Sequence, residues 1–91
     1  MRHRARPIFW KLYRELPGDV RELADTNFAL LKENPRHPSL RFKKVGKTLW
    51  SVRIGLNYRA LAREVDGDMR WFWIGPHDEY DAMLSRKRKE L

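Results

Sequence analysis

Two arginines, Arg53 and Arg59, stand in the run Trp50-Ser-Val-Arg-Ile-Gly-Leu-Asn-Tyr-Arg-Ala-Leu61, whose alternation is that of a β-hairpin. With Gly55-Leu56-Asn57 as a three-residue loop, its left-handed position one that Asn tolerates, Ile54 falls opposite Tyr58 and Arg53 opposite Arg59. Trp50, Val52 and Ile54 then share one face with Tyr58, Ala60 and Ala62, while Ser51, Arg53, Arg59 and Leu61 share the other. Like charges directly opposite each other destabilise a sheet, so the pair fits a site for an anion or an acidic partner, with phosphate the foremost candidate. Solvated arginines, or arginines paired with Glu64, Asp78 or Glu79, are the alternative. His77 carries an imidazole, a group suited to general acid or base work near neutral pH; beside Pro76 it also reads as an ordinary turn residue.

The elements that must position these groups follow from periodicity. Pro7 suits a first helical position, and Phe9, Leu12, Tyr13 and Leu16 mark one helical face, which predicts a helix over 7–16 ended by Pro17-Gly18. Asp19 and Glu22 form a capping-box-like pair ahead of the stripe Val20, Leu23, Ala24, Phe28 and Leu31, predicting a second helix over 19–33 ended by Asn34-Pro35. The two should pack as a hairpin, with Arg14, Arg21 and Lys32 in solvent. Strand-like runs follow at 40–45, 49–55, 58–65 and 69–75, the last two joined by Asp66-Gly67-Asp68. The run Met69-Arg-Trp-Phe-Trp-Ile-Gly75 is apolar on both faces except at Arg70 and reads as a central strand under a helical layer. A short helix over 78–84 and a basic, mobile tail from Ser85 to Leu91 complete the chain. The expected fold is therefore α+β: an N-terminal helical hairpin on a small antiparallel sheet of three to four strands, with a short C-terminal helix.

Composition sets the boundaries. The 91 residues, 42% hydrophobic, suit one domain over 1–91, with no repeat or linker at which a second would begin. Twenty Lys and Arg against twelve Asp and Glu give a net charge of +8, which favours polyanionic partners. The absence of cysteine excludes a disulfide scaffold, thiol catalysis and cysteine-ligated zinc, and agrees with a cytoplasmic location. No signal-peptide core or membrane-length apolar run is present. Asp78, Glu79 and Asp81 read as the acidic first turn of a helix rather than a metal site, and His3 and His37 have no recognised ligand spacing, so neither metal nor cofactor is expected. The four tryptophans could stack bases, but with this periodicity most of them read as core.

Three segments carry a family resemblance: Asn34-Pro-Arg-His-Pro-Ser-Leu-Arg-Phe-Lys-Lys-Val45, the hairpin Trp50–Leu61, and Trp73-Ile-Gly-Pro-His-Asp-Glu-Tyr80. Together they resemble the RelE/ParE superfamily of bacterial toxin–antitoxin toxins, over nearly the whole chain. The resemblance implies a small cytoplasmic toxin held inactive by a cognate antitoxin. Many members enter the ribosomal A site and cut messenger RNA, whereas others inhibit DNA gyrase or have other targets. Carried over residue by residue, it implies that Arg59 stabilises charge on the scissile phosphate with Arg53 as its neighbour. His77 matches a basic or imidazole group after the last strand, and Tyr80 an aromatic that stacks on a base, although its spacing to Met83 and Leu84 equally fits packing of the terminal helix onto the sheet. Lys43 and Lys44 resemble lysines beside the phosphate.

The chain also departs from the pattern. Some ribonuclease members supply a glutamate base from the strand before the Trp-Ser element, where this chain has Arg41, Lys43 and Lys44. Pro76 separates Ile74-Gly75 from His77, displacing the histidine by a position. The expected function is a toxin that inhibits translation by ribosome-dependent, metal-independent mRNA cleavage, with Arg59, Arg53 and His77 as catalytic groups and Tyr80, Lys43, Lys44 and Arg41 as substrate contacts. A toxin of the same fold acting on gyrase or another protein, or a degenerate toxin that only binds antitoxin or RNA, with the first helix and Arg86 to Lys89 as electrostatic footing, is the alternative.

Overall fold

The computed structural model describes residues 1–89, and side chains through residue 86. The elements run β1 (His3–Ala5), α1 (Pro7–Arg14), α2 (Gly18–Glu33), a 3-10 turn (Pro38–Leu40), β2 (Lys43–Lys44), β3 (Leu49–Ile54), β4 (Tyr58–Val65), β5 (Asp68–Pro76) and α3 (His77–Lys89). They form an α+β fold in which the α1–α2 hairpin covers one face of a five-stranded sheet of order β1-β5-β4-β3-β2 and α3 covers part of the other.

The helical hairpin forms as its apolar stripes require. Phe9, Leu16, Val20, Ala24 and Leu31 are buried against Val52, Ile54, Ala60, Ala62, Met69, Trp71 and Ile74 of the sheet, and removal of this apolar surface from water is the main force holding the layers together. Two details differ from expectation. Asp19 makes no capping-box hydrogen bond: Pro17 is the N-cap, and its carbonyl accepts from the amides of Val20 (3.0 Å) and Arg21 (3.0 Å). Asp19 therefore sits within the first turn, as its second residue, where its charge favours the positive helix end. Arg21, expected in solvent, is half-buried and donates to the carbonyls of Leu16 (2.7 Å) and Arg14 (3.3 Å), supplying partners to the end of α1.

The sheet is mixed and larger than the sequence indicated. β2–β3, β3–β4 and β4–β5 pair antiparallel, but β1 pairs parallel to β5 through His3–Met69, Arg4–Arg70 and Ala5–Trp71. Three residues are too short for a readable alternation, which hid this edge strand. The expected strand over 40–45 shrinks to Lys43–Lys44: Pro38-Ser39-Leu40 winds into a 3-10 turn, and Arg41 takes a left-handed conformation (φ 43°) that no ladder accommodates. β5 has neighbours on both sides, as its two apolar faces require. Between its partners the register slips: Leu61 faces Trp73 and Ala62 faces Trp71, leaving Phe72 as the extra residue of a β-bulge. The bulge turns both Phe72 and Trp73 toward α3 while Trp71 and Ile74 stay in the main core.

α3 is longer than the short helix over 78–84. It begins at His77 and continues through Ser85 to Lys89, so that part of the expected mobile tail is helical; Glu90 and Leu91 lie outside the described residues. Tyr80, Met83 and Leu84, spaced i, i+3, i+4, pack on Leu49, Leu61, Phe72 and Trp73 to make a second, smaller core. Among the described residues no helix is long and apolar enough to cross a membrane.

Candidate active site on the α3 face of the sheet

The β3–β4 hairpin has the register its loop length implies, with Arg53 opposite Arg59 and Ile54 opposite Tyr58. The left-handed residue of the loop is Gly55 (φ 63°) rather than Asn57, and the Asn57 carbonyl accepts from the His77 amide (2.8 Å), tying the hairpin to the start of α3. From behind, Asn27 of α2 donates its Nδ2 to the Arg53 carbonyl (2.9 Å), a fixed contact from a nearly buried amide. The two arginines thus project from a backbone held on both sides.

Alternation places Ser51, Arg53 and Arg59 on the α3 face, where they line a depression of ≈ 420 Å³ together with Arg41, Lys43, His77, Tyr80 and Asp81. Both guanidiniums lean toward the hairpin loop. Arg53 Nε donates to the Gly55 carbonyl (3.0 Å), and Arg59 Nη1 donates to the carbonyls of Tyr58 (2.7 Å) and Leu56 (3.4 Å). Among the described residues no carboxylate lies within ion-pair distance of either. Glu64, a candidate partner by sequence, accepts from Trp50 Nε1 (2.7 Å) on the opposite face of the sheet. Burial lowers the Arg59 guanidinium from its ordinary value, and the Arg53 cation lowers it further; Tyr80 and Asp81 oppose this and Arg41 adds to it. The group stays charged at neutral pH. Four cations facing one carboxylate form a preorganised positive site suited to a phosphate.

His77 and Asp81 occupy successive turns of α3, with His77 Nδ1 2.9 Å from Asp81 Oδ2. The carboxylate fixes the ring and leaves Nε2 as the free nitrogen, the arrangement by which an acidic residue orients an imidazole for proton transfer. Asp81 was missed in the sequence because its acidic neighbours Asp78 and Glu79 made all three read as helix capping. The i, i+4 spacing from His77 was the available signal.

Two expected substrate contacts are placed differently. Tyr80 is 6% exposed, packed with Leu49 and Leu61, and its hydroxyl donates to Ser51 Oγ (3.2 Å). A ring buried in this way offers no face to a base, so its place here is the α3 core, with only its rim on the depression. Lys44 stands opposite Trp50 in the ladder and Lys43 opposite Ser51, so alternation sends Lys43 to the depression and Lys44 to the other side of the sheet. Ser51 also lines the depression, and Gly75 lies next to it in the sheet. Gly75 faces Arg59 across β4–β5, and a Cβ there would lie 2.6 Å from Cζ2 of Trp73, whose ring folds over it.

A family model described as the ParE-like toxin domain matches residues 19–82, more than half of the chain and every element of the depression. The chain belongs to this toxin family. The toxin has the RelE fold. It is similar to the solved structure of the RelB–RelE antitoxin–toxin complex from Methanococcus jannaschii, with 17% identity over 87% of this chain and 96% of that one and a TM-score of 0.67. The isolated RelE toxin of E. coli superposes with a TM-score of 0.61 at 16% identity, over 93% of this chain and 96% of the other. The YoeB/ParE toxin from Agrobacterium tumefaciens does so with a TM-score of 0.63 at 17% identity, over 85% and 99%. Comparison with curated protein sequences gives no significant match. The toxin is thus placed in the RelE/ParE superfamily of toxin–antitoxin systems by family and by fold.

Proposed function

We propose that the toxin inhibits translation by cutting messenger RNA on the ribosome, and that a cognate antitoxin holds it inactive. The observation that carries this reading is the convergence of Arg53, Arg59, Arg41 and Lys43 with an oriented imidazole in one open depression. In the proposed step the 2′-hydroxyl of the substrate loses its proton to solvent and attacks the adjacent phosphorus. The P–O5′ bond breaks, and His77 gives its Nε2 proton to the departing 5′-oxygen. The products are a 2′,3′-cyclic phosphate and a 5′-hydroxyl. Arg59 and Arg53 bind the non-bridging oxygens and stabilise the charge that builds on the phosphorane. Lys43 and Arg41 hold flanking phosphates, and Asp81 stabilises the imidazolium. No metal is required by this scheme. The antitoxin reading draws support from the RelB–RelE complex of similar fold and from the exposed basic face, which suits an acidic segment.

A second reading, a toxin of this fold that binds gyrase or another protein without cutting RNA, is favoured by one feature: among the described residues the one carboxylate lining the depression, Asp81, is engaged by His77, which leaves no free carboxylate base among them. Incubating an end-labelled message with ribosomes and the toxin, beside a gyrase supercoiling assay, separates the two. Fragments with cyclic phosphate ends support cleavage. Intact message with arrested supercoiling supports the second reading.

A further inference from the structure

The α3 face carries a second group of cations that the depression does not use. Arg4, Arg70 and Arg63 stand directly beside one another on β1, β5 and β4 in the pairs Arg4–Arg70 and Arg63–Arg70. All three are exposed, as is Arg6, which lines a cleft of ≈ 330 Å³ with Arg63, Arg70, Ile8, Val65 and Phe72. Among the described residues no carboxylate lines this cleft. Arg63 is the most fixed member: its Nη1 donates to Thr48 Oγ1 (2.9 Å) and its guanidinium carbon lies 5.8 Å from the centre of the Phe72 ring. A guanidinium held against an aromatic ring keeps its edge for bidentate contact with a phosphate. Alternation places Phe72 on the same face as Arg70, two residues before it, and so beside Arg63 of the neighbouring strand.

Three like charges in a row across three strands destabilise the sheet, and a polyanion laid along the row removes that repulsion. The row shares its face with the depression. Arg63 follows Arg59 on the same strand by four residues, about 13 Å at the usual rise, with Leu61 between them under α3. An anion reaching both places must therefore be extended and pass around α3, which a nucleic-acid backbone does and a single phosphate does not.

We propose that Arg4, Arg6, Arg63 and Arg70 form a second phosphate-binding surface that holds the backbone of folded RNA while the depression engages the strand to be cut. The surface rests on the RNA-directed reading above only for the choice of RNA over an acidic peptide. Both guanidinium rows then face one ligand, and the Arg63–Phe72 pair gives a base or ribose a place to stack.

The test is fluorescence anisotropy with a labelled 2′-O-methyl RNA hairpin, which has the backbone charge and no 2′-hydroxyl to attack. The toxin, the Arg63→Gln/Arg70→Gln variant and Arg59→Ala are compared across a salt series, with urea unfolding as a check on folding. The double variant should bind with a log Kd against log salt slope shallower by roughly 1.4–1.8, two phosphate contacts' worth, and by the same amount when combined with Arg59→Ala. Its urea midpoint should stay close to that of wild type, because the repulsion relieved offsets the lost Arg63 contacts with Thr48 and Phe72. An unchanged slope overturns the proposal, and so does a variant that keeps its RNA binding but loses binding to poly-glutamate. Since cleavage is not read, a toxin that cuts no RNA in the ribosome assay yet shows the slope change refutes the catalytic reading and leaves this surface standing.

Discussion

The buried hydrogen bond between Tyr80 and Ser51 decides what holds α3, and with it His77 and Asp81, over the arginines. Tyr80→Phe keeps the ring among Leu49, Leu61, Met83 and Leu84 but leaves Ser51 Oγ, 2% exposed as a residue, without its 3.2 Å partner. Leaving one buried hydroxyl unsatisfied costs about 1–3 kcal/mol. Ser51→Ala strands the phenol instead, whose rim reaches the depression and finds water, so its cost belongs at the lower end, about 1 kcal/mol. The double variant removes both partners together and should lose less than the two single losses combined, with a coupling of at least about 0.5 kcal/mol. Urea unfolding of the four proteins gives the cycle directly, and for a chain of this size each kcal/mol moves the melting midpoint by about 4–8 °C. Strictly additive losses would refute the placement of Tyr80 in the α3 core. Loss of RNA cleavage in Tyr80→Phe with full stability would refute it as well, and would return the ring to the substrate.

Three further outcomes follow from the geometry. Gly55→Ala should destabilise the hairpin by about 1–2 kcal/mol in urea unfolding, because φ is 63° there and an added Cβ would come 2.6 Å from Leu23 Cδ2. His3 accepts from Trp71 Nε1 (3.1 Å) through Nδ1, and its pKa is lowered from 6.5 first by burial and then by Lys32 and the amino terminus. A depressed pKa contributes stability that is present above the unfolded value and is lost as pH falls through the folded one, so wild type should lose melting temperature on acidification below neutrality and His3→Gln should show a flatter profile. For chemistry, His77→Ala should lower the cleavage rate by about 10²–10⁴-fold, measured on ribosome-bound message, with Asp81→Asn showing a smaller loss because it disturbs the ring's orientation and leaves the proton carrier in place.

Much of this arrangement was legible because it depends on local rules. The period-two alternation through Trp50–Leu61 and a three-residue loop were enough to bring Arg53 and Arg59 together, and the helical stripes were enough to give the α+β class. What escaped notice depends on contacts distant in sequence. β1 is three residues whose strand character comes only from pairing with β5, and the bulge at Phe72 is set by the fit of Trp71 into the main core and Trp73 over Gly75. The spacing of Tyr80 to Met83 and Leu84 allowed a packing role beside the base-stacking one, and the choice between them required knowing that α3 closes on Leu61. Lys44 was grouped with Lys43 because adjacent residues share a motif, although in a strand they cannot share a face. Asp81 and the Arg4–Arg70–Arg63 row carry the same lesson: a residue's partner lies one turn away, or across the sheet.

The most direct test of the central claim is to map messenger RNA ends in a translating extract given wild type or Arg59→Ala, with and without ribosomes. The arginine opposite Arg53 should be worth about 10²–10³-fold in rate, as for other fixed donors to a developing anion. New codon-registered cuts that require ribosomes and fall to background with Arg59→Ala are the expected result. Cuts of equal strength in the variant would contradict the assignment of this site, and intact message with the wild-type toxin would contradict the nuclease account altogether.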